Sequence, residues 1–336
     1  MDLVAEVAGA FADVDAEAWD AVVEATGAPV FYSAGYLRAY ERDPLGQVDG
    51  VAYLTLRERG AAVAVAPLYL QHRADPLGHL RGAYPEAAGE SALLSHVWHC
   101  YDGQVLSRQG PAAVLPAVLD AVRDAAHRLG ARWYGLVNLD RAGPTAAAVR
   151  ALGLPLRHLV DRYGADLTGL ADLEDYLARL GPRARANLRR GARRAAESGV
   201  STAVRPVAEV DLAEIAELCD RTAGRFGNAG FYPAGRFERF VTALAPAAEV
   251  IEIRQAGRLV AVGVCLVDER RFHTWTCGVD YAVDGNFSPY ALLFAESVAT
   301  ALRLRRPVLE GGRSNATFKE RHGLAARHLD ALLIPA

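Results

Sequence analysis

One lysine stands among 37 cationic side chains, at position 319, and all the others are arginines. A chain that uses arginine wherever charge alone is wanted has kept one ammonium, a compact charge with three rotatable donors and a pKa that burial can move, which a guanidinium cannot imitate. The plainer reading is a lysine left on a solvated helix face, where most lysines lie. Its neighbours favour chemistry. Lys319 lies in EGGRSNATFKERHG, residues 310–323, where Gly311 and Gly312 let backbone come close to a ligand. Glu310, Arg313, Asn315 and Arg321 share that stretch. Glu310 is either a base or the residue that holds Lys319 in place, and an ammonium so placed can stabilise an oxygen that becomes negative during reaction.

Two further constellations carry chemistry-bearing types. Arg183, Arg185, Arg189, Arg190, Arg193 and Arg194 crowd into twelve residues, with Asp172, Glu174 and Asp175 close enough in sequence to pair with some of them. Such a helix is either a solvated face or a surface for phosphates and carboxylates. In the run RFHTWTCGV, His273 and Trp275 alternate on one face of a strand, with Thr274 and Thr276 on the other. His273 is a candidate general base, and a hydrogen-bonded structural histidine is the commoner case.

The rest of the chain has to position these groups. Its 336 residues suit two domains, and 51% hydrophobic with 23% charged residues gives each a core. The net charge of −3 excludes a generic polyanion binder, so contact with nucleic acid has to be local and no DNA partner is expected. No run of 18 apolar residues occurs and the N-terminal stretch is acidic, so a cytoplasmic protein without a membrane span or secretory signal is expected. Cys100, Cys219, Cys265 and Cys277 show neither zinc-ligand nor disulfide spacing and read as small core residues. No metal site is expected.

Asp15 caps a first helix that Gly27 ends, and Ser33 caps a second. Two strand-like runs meet at Arg59-Gly60, residues 72–104 look irregular, and a long helix ends at Gly130. Two helices broken at Gly181-Pro182 then form a bridge, after which two helices, an antiparallel meander with an Ala256-Gly257 hairpin, a long helix, a strand, a short helix and a strand follow. Both halves show this order, which predicts duplication of one supersecondary plan. The expected fold class is α/β (α+β), with domains at 1–165 and 200–336 and an Arg-rich helical bridge at 166–199.

That order, with the Arg-rich helix, the TAGR of Thr222 to Arg225, the SPYALL that opens a helix after three strands, and a Gly-Gly strand end followed by Phe318-Lys319 and Gly323, resembles a tandem GNAT fold. Residues 170–336 are similar to the FemABX-like aminoacyl transferases and the related CelD-type acetyltransferase group. The resemblance implies two GNAT-like domains, each a mixed, mostly antiparallel sheet flanked by helices. It also implies an amide-forming acyltransferase in which Lys319, preceded by Phe318, sits beside the reacting carbonyl. Arg225 and Tyr232 fall where the family contacts its acceptor, and Trp275, Arg313 and Asn315 join them as substrate-binding candidates. The glycine-rich R/Q-x-x-G-x-G/A loop on which ordinary GNAT enzymes hold the CoA pyrophosphate is missing from both DGNFSPYALL and SRQGPAAVL. The expected donor is therefore a carrier-protein phosphopantetheine thioester or an aminoacyl-tRNA. It would dock on Arg185, Arg189, Arg190, Arg193 and Ser288, and no bound cofactor is implied. Acyl-CoA bound in a non-standard site, and a non-catalytic GNAT-fold binding protein, are the alternatives. The short chain points to natural product biosynthesis, with a small amine as acceptor.

Overall fold

The computed structural model describes residues 3–72, 77–283 and 286–336. Contacts divide the chain into two compact units: Met1–Asp161 together with Arg327–Ala336, and Arg162–Ala326. Chain order runs β1 (Leu3–Ala8), α1 (Ala16–Thr26), α2 (Ala34–Arg42), β2 (Gly50–Glu58), β3 (Ala61–His72), α3 (His79–Ala83), β4 (Ser91–Leu94), β5 (Leu106–Ser107), α4 (Pro111–Leu129), β6 (Trp133–Asp140), α5 (Pro144–Ala151) and β7 (Arg157–Asp166). It continues through α6 (Leu173–Arg179), α7 (Pro182–Glu197), β8 (Val200–Pro206), α8 (Leu212–Arg225), α9 (Arg236–Ala243), β9 (Ala248–Gln255), β10 (Arg258–Val267), β11 (Arg271–Val279), α10 (Pro289–Arg303), β12 (Val308–Glu310), α11 (Ala316–Arg321) and β13 (Ala325–Pro335).

Each unit is built on the same sheet plan. In the first, β1 to β4 form an antiparallel meander, β4 runs parallel to β6, and β13 closes the order antiparallel to β6. In the second, β8 to β11 form the meander, β11 runs parallel to β12, and β7 closes the order antiparallel to β12. Local sequence accounts for much of this. The β2–β3 and β9–β10 hairpins turn on two residues with positive φ, Arg59 (51°) and Gly60 (83°), and Ala256 (48°) and Gly257 (80°). Such turns match the twist of the strands they join. Asp15, Ser33, Asp172, Asp211 and Ser288 accept backbone N–H groups as caps of α1, α2, α6, α8 and α10.

The cores follow from helix faces laid on sheets. Val114, Leu115, Val118 and Val122 of α4 pack with Leu54, Leu56, Ala64 and Leu68 in the first unit. In the second, Leu293, Phe294, Val298 and Ala301 of α10 join Ile251, Ile253, Val260 and Phe272. Each large aliphatic side chain so buried contributes about 1.5–3 kcal/mol. The Arg-rich helix α7 buries Ala184 and Leu188 in this second core. Where the sequence reading makes that helix a bridge, contacts place it within the second unit and residues 327–336 within the first. Among the described residues, no helix is long and apolar enough to cross a membrane.

Candidate active site

Parallel strands β11 and β12 share only three register pairs, Arg271 with Val308, Phe272 with Leu309, and His273 with Glu310. The Thr274 hydroxyl donates to the Glu310 carbonyl at 3.0 Å, and there β12 ends. Beyond it Gly312, Ser314 and Asn315 all have positive φ, so the chain turns sharply away from β11. A Cβ on Gly311 would lie 2.3 Å from Leu324 Cδ2 and 3.2 Å from the Tyr163 carbonyl oxygen, so any side chain there would have to displace Leu324. On the other strand the β10 register slips between Val264 and Leu266, opposite Thr276 and His273, so β11 carries one extra residue. A bulge of this kind re-aims side chains where two strands separate. It breaks the simple alternation expected from His273 to Thr276.

The loop after β12 is held by Lys319. Its Nζ donates to the carbonyls of Gly312 at 3.1 Å and Arg313 at 2.5 Å, and lies 5.5 Å from the centre of the Tyr163 ring. The side chain is 4% exposed. Burial, helped by the Arg313 cation and opposed by the Cys277 thiol, brings its pKa down to about 7. In its charged form Lys319 thus commits two of its three protons to backbone and keeps one further donor.

Glu310 is fully buried and its carboxylate faces the Arg162 guanidinium at 4.0 Å, a buried pair across β12 and β7. His273 is also fully buried, and its Nε2 lies 2.9 Å from Asp268 Oδ2 at the β10–β11 turn. Burial would raise the Asp268 carboxyl, but the hydrogen bond from His273 and the charge of Arg271 together hold it below the usual value. Tyr232 and Trp275 meet with ring centres 6.0 Å apart, and Phe237 stacks on Trp275. Burial pushes the Tyr232 phenol up, while the Arg313 cation pulls it down. Arg313 therefore stands within electrostatic reach of both Tyr232 and Lys319.

Phe318 packs against Tyr290, Phe294 and His322, with ring centres 4.8, 5.5 and 4.0 Å away, so it anchors α11 on α10. Asn315 lies against the Tyr290 hydroxyl. Arg225 is exposed and stacks 4.5 Å over the Tyr281 ring, which also meets Phe226. Ser288 accepts from Ala291 N at 3.3 Å, so its hydroxyl caps α10. Asp284 and Gly285 of the DGNFSPYALL stretch lie outside the described residues. On α7, Arg189 pairs with Glu174, and Arg193 approaches Glu197 at 3.9 Å. Arg194 donates to the Asn286 carbonyl just before α10. Arg183 and Arg190 are exposed, Arg185 is half-buried, and none of the three is ion-paired among the described residues.

Lys319, Arg313, Tyr232 and Trp275 thus gather where β11 and β12 part, Glu310 turns its carboxylate to Arg162, and the α7 arginines line a separate helix face. Sequence reasoning missed Tyr163, Arg162, Asp268, Tyr290 and Cys277. Cys277 is half-buried, unlike the other three cysteines, and burial raises its thiol against the pull of Lys319. Its place on β11 beyond the last residue paired with β12 could have marked it. A surface depression of about 510 Å³ in the first unit, lined by Glu86, Glu90, His127 and Arg132 among others, contains none of these residues.

Residues 182–320 match the model of the acetyltransferase (GNAT) domain. No curated protein matches the sequence. Among solved structures the chain is similar to FemX, at TM-score 0.65 and 10% identity over 98% of this chain and 97% of that one. It is also similar to L-PGS from Bacillus licheniformis, at TM-score 0.60 and 15% identity over 94% and 91%. A tandem GNAT protein from the clavulanic acid biosynthesis pathway aligns at TM-score 0.55 and 13% identity over 99% and 98%. The expected tandem GNAT fold is borne out.

Proposed function

We propose that this tandem GNAT-fold acyltransferase forms amide bonds, moving an acyl or aminoacyl group from a macromolecular carrier, an acyl-carrier protein thioester or an aminoacyl-tRNA, to a small amine. The observation that carries this reading is the buried Lys319 ammonium at the parting of β11 and β12, with two protons fixed on the Gly312 and Arg313 carbonyls. The amine nitrogen attacks the acyl carbon, and the carbonyl oxygen takes the electron pair and is met by the third proton of Lys319. Collapse of that intermediate expels the carrier's sulfur or ribose oxygen, which leaves with the amine proton. In a dry setting a fixed donor aimed at the developing oxyanion is worth about 3 to 4 kcal/mol. Tyr232, Trp275 and Arg313 would receive the amine, and the Arg225–Tyr281 stack would meet its outer end.

Carrier delivery is supported by the opening of α10. Pro289 has no N–H to offer, and Ser288 already takes the N–H of Ala291, so the first turn presents few donors to a pyrophosphate. The unpaired arginines of α7 suit phosphates instead. A role in specialised metabolism fits the likeness to a tandem GNAT protein from the clavulanic acid biosynthesis pathway. The match of residues 182–320 to an acetyltransferase model favours acyl-CoA as the second reading.

The test is incubation with charged tRNA, loaded carrier protein or acetyl-CoA against a panel of amines, read by mass spectrometry. A new amide only in the two carrier arms supports the proposal. Product from acetyl-CoA alone moves the donor to CoA, and no amide from any donor sinks the enzyme reading.

A further inference from the structure

Two of the nine histidines converge on one carboxylate in the first unit, and none of the three residues serves in the site described above. His328 Nδ1 lies 2.7 Å from Asp161 Oδ1, and His158 Nε2 lies 3.5 Å from the same oxygen. All three ligand atoms fall within 4.8 Å of one another. Ligand atoms around a tetrahedral ion at bond lengths near 2.0–2.2 Å are separated by about 3.3 Å, so small rotations of exposed rings bring these three to a common centre. The side chains of His158 and His328 are 48% and 51% exposed, which leaves both rings free to make that adjustment.

A second observation points the same way. The other nitrogen of His158, Nδ1, faces Asp330 Oδ1 at 3.8 Å, and Asp330 is itself buried and gripped by Arg141 at 2.7 to 3.1 Å. A carboxylate behind the non-ligating nitrogen is how metal-bound imidazoles are oriented and kept in one tautomer. Elsewhere the chain pairs its surface carboxylates mostly with arginine, which cannot bind a metal. Here two imidazoles and a carboxylate share one point.

We propose that His158, Asp161 and His328 bind a divalent transition-metal ion of the zinc class, with a fourth position open to water. The ion replaces the His328–Asp161 hydrogen bond, and His328 carries its proton on Nε2 instead. Imidazole and carboxylate together suit zinc, cobalt, nickel and copper rather than magnesium or calcium, which take oxygen ligands. Arg141, close enough to feel the charge of Asp161, weakens the site and makes it exchangeable. Its role is mechanical. His158 and Asp161 lie on the strand by which the chain leaves the first unit, and His328 lies on the strand by which it returns. The ion ties together two segments that are 167 residues apart.

Calorimetric titration of the chelator-treated full chain with zinc chloride tests this, beside His158→Gln, His328→Gln and, as a control, His72→Gln, which alters an exposed His–Asp pair with one imidazole only. One equivalent of zinc is expected to bind the natural chain and His72→Gln. Either ligand substitution should weaken it more than the roughly 10 to 100-fold typical of losing an outer-sphere partner. Magnesium should give no heat, cobalt should give a visible absorption band, and zinc should raise the melting temperature only where His158 and His328 are both present. Zinc uptake unchanged by both substitutions, equal binding of magnesium, or no binding at all would overturn the site.

Discussion

Lys319 Nζ lies 3.1 Å from the carbonyl oxygen of Gly312, so the chain's one lysine is fastened to the loop that ends β12. The loop bends away from β11 through positive-φ residues, and the ammonium holds the bend from inside. One side chain therefore shapes the loop and brings a titratable amine to it. An arginine would hold the loop differently, because its donors are fixed in one plane whereas those of an ammonium rotate to suit both carbonyls.

Substitutions separate those duties. Lys319→Ala removes charge and clamp, and kcat is expected to fall on the order of 10² to 10³. Lys319→Arg keeps the charge and is expected to recover little of that loss. The check is single-turnover kinetics on the carrier-borne donor, with circular dichroism to establish that both variants fold. Near-normal turnover in Lys319→Ala would remove the residue from the chemistry.

The same burial predicts how stability depends on pH. In the folded chain the Lys319 pKa is down to about 7, while in the unfolded chain it returns to 10.5. Folding then costs most below pH 7, where the buried amine is charged. The cost fades as pH rises toward 10.5, where it is neutral in both states. Lys319 thus makes the protein more stable as pH rises through that window. Urea unfolding near pH 6 and pH 9 should show the natural chain gaining on Lys319→Met as pH rises. A constant difference between the two would mean that the amine is not buried in this way.

How much of this could be read from the sequence depends on whether the cause is local. The Arg59-Gly60 and Ala256-Gly257 turns were legible because two-residue hairpins demand positive φ, and Asp15 and Ser33 were legible as caps, whereas Ser288, expected to dock the donor, caps α10. Strand β4 was not, since its four residues are too few to show a period, and they lie in a stretch that reads as irregular. Lys319 stood out by composition alone. The partners that give it meaning, Tyr163 and the Gly312 and Arg313 carbonyls, come together only when β12 ends beside β7. Asp268 beside His273 needs the β10–β11 turn, and Asp161 beside His328 needs strands far apart in sequence.

Two glycines give opposite expectations for the same change. At Gly278 a Cβ would sit 2.7 Å from Leu218 Cγ and 2.8 Å from Leu218 backbone carbon, so β11 meets the α8 backbone without room for a methyl. Gly278→Ala is expected to destabilise by about 1–3 kcal/mol. Gly191, inside α7, has nothing within 4 Å of a Cβ. Gly191→Ala is expected to stabilise by about 0.5–1 kcal/mol through helix propensity. Thermal melts of both variants check the pair, and a stable Gly278→Ala would show that α8 can move off the sheet.

The α7 arginines give the sharpest test of carrier delivery, because the structure sorts them. Arg189 is engaged with Glu174 in an exposed pair, so its removal alters that pair as well as any docking. Arg183, Arg185 and Arg190 have no acidic partner among the described residues and are the ones expected to meet a carrier. Arg185→Glu with Arg190→Glu leaves the buried Ala184 and Leu188 face untouched, so folding is expected to survive. The double variant should raise KM for the carrier-borne donor and leave kcat near its natural value. If the carrier presents phosphates, each arginine–phosphate pair removed should also flatten the dependence of log affinity on log salt by about 0.7 to 0.9. A carrier-protein donor gives the KM effect with a weaker salt response, because fewer phosphates are neutralised. Unchanged donor kinetics in the double variant would make α7 a solvated face, and carrier delivery would lose its main support.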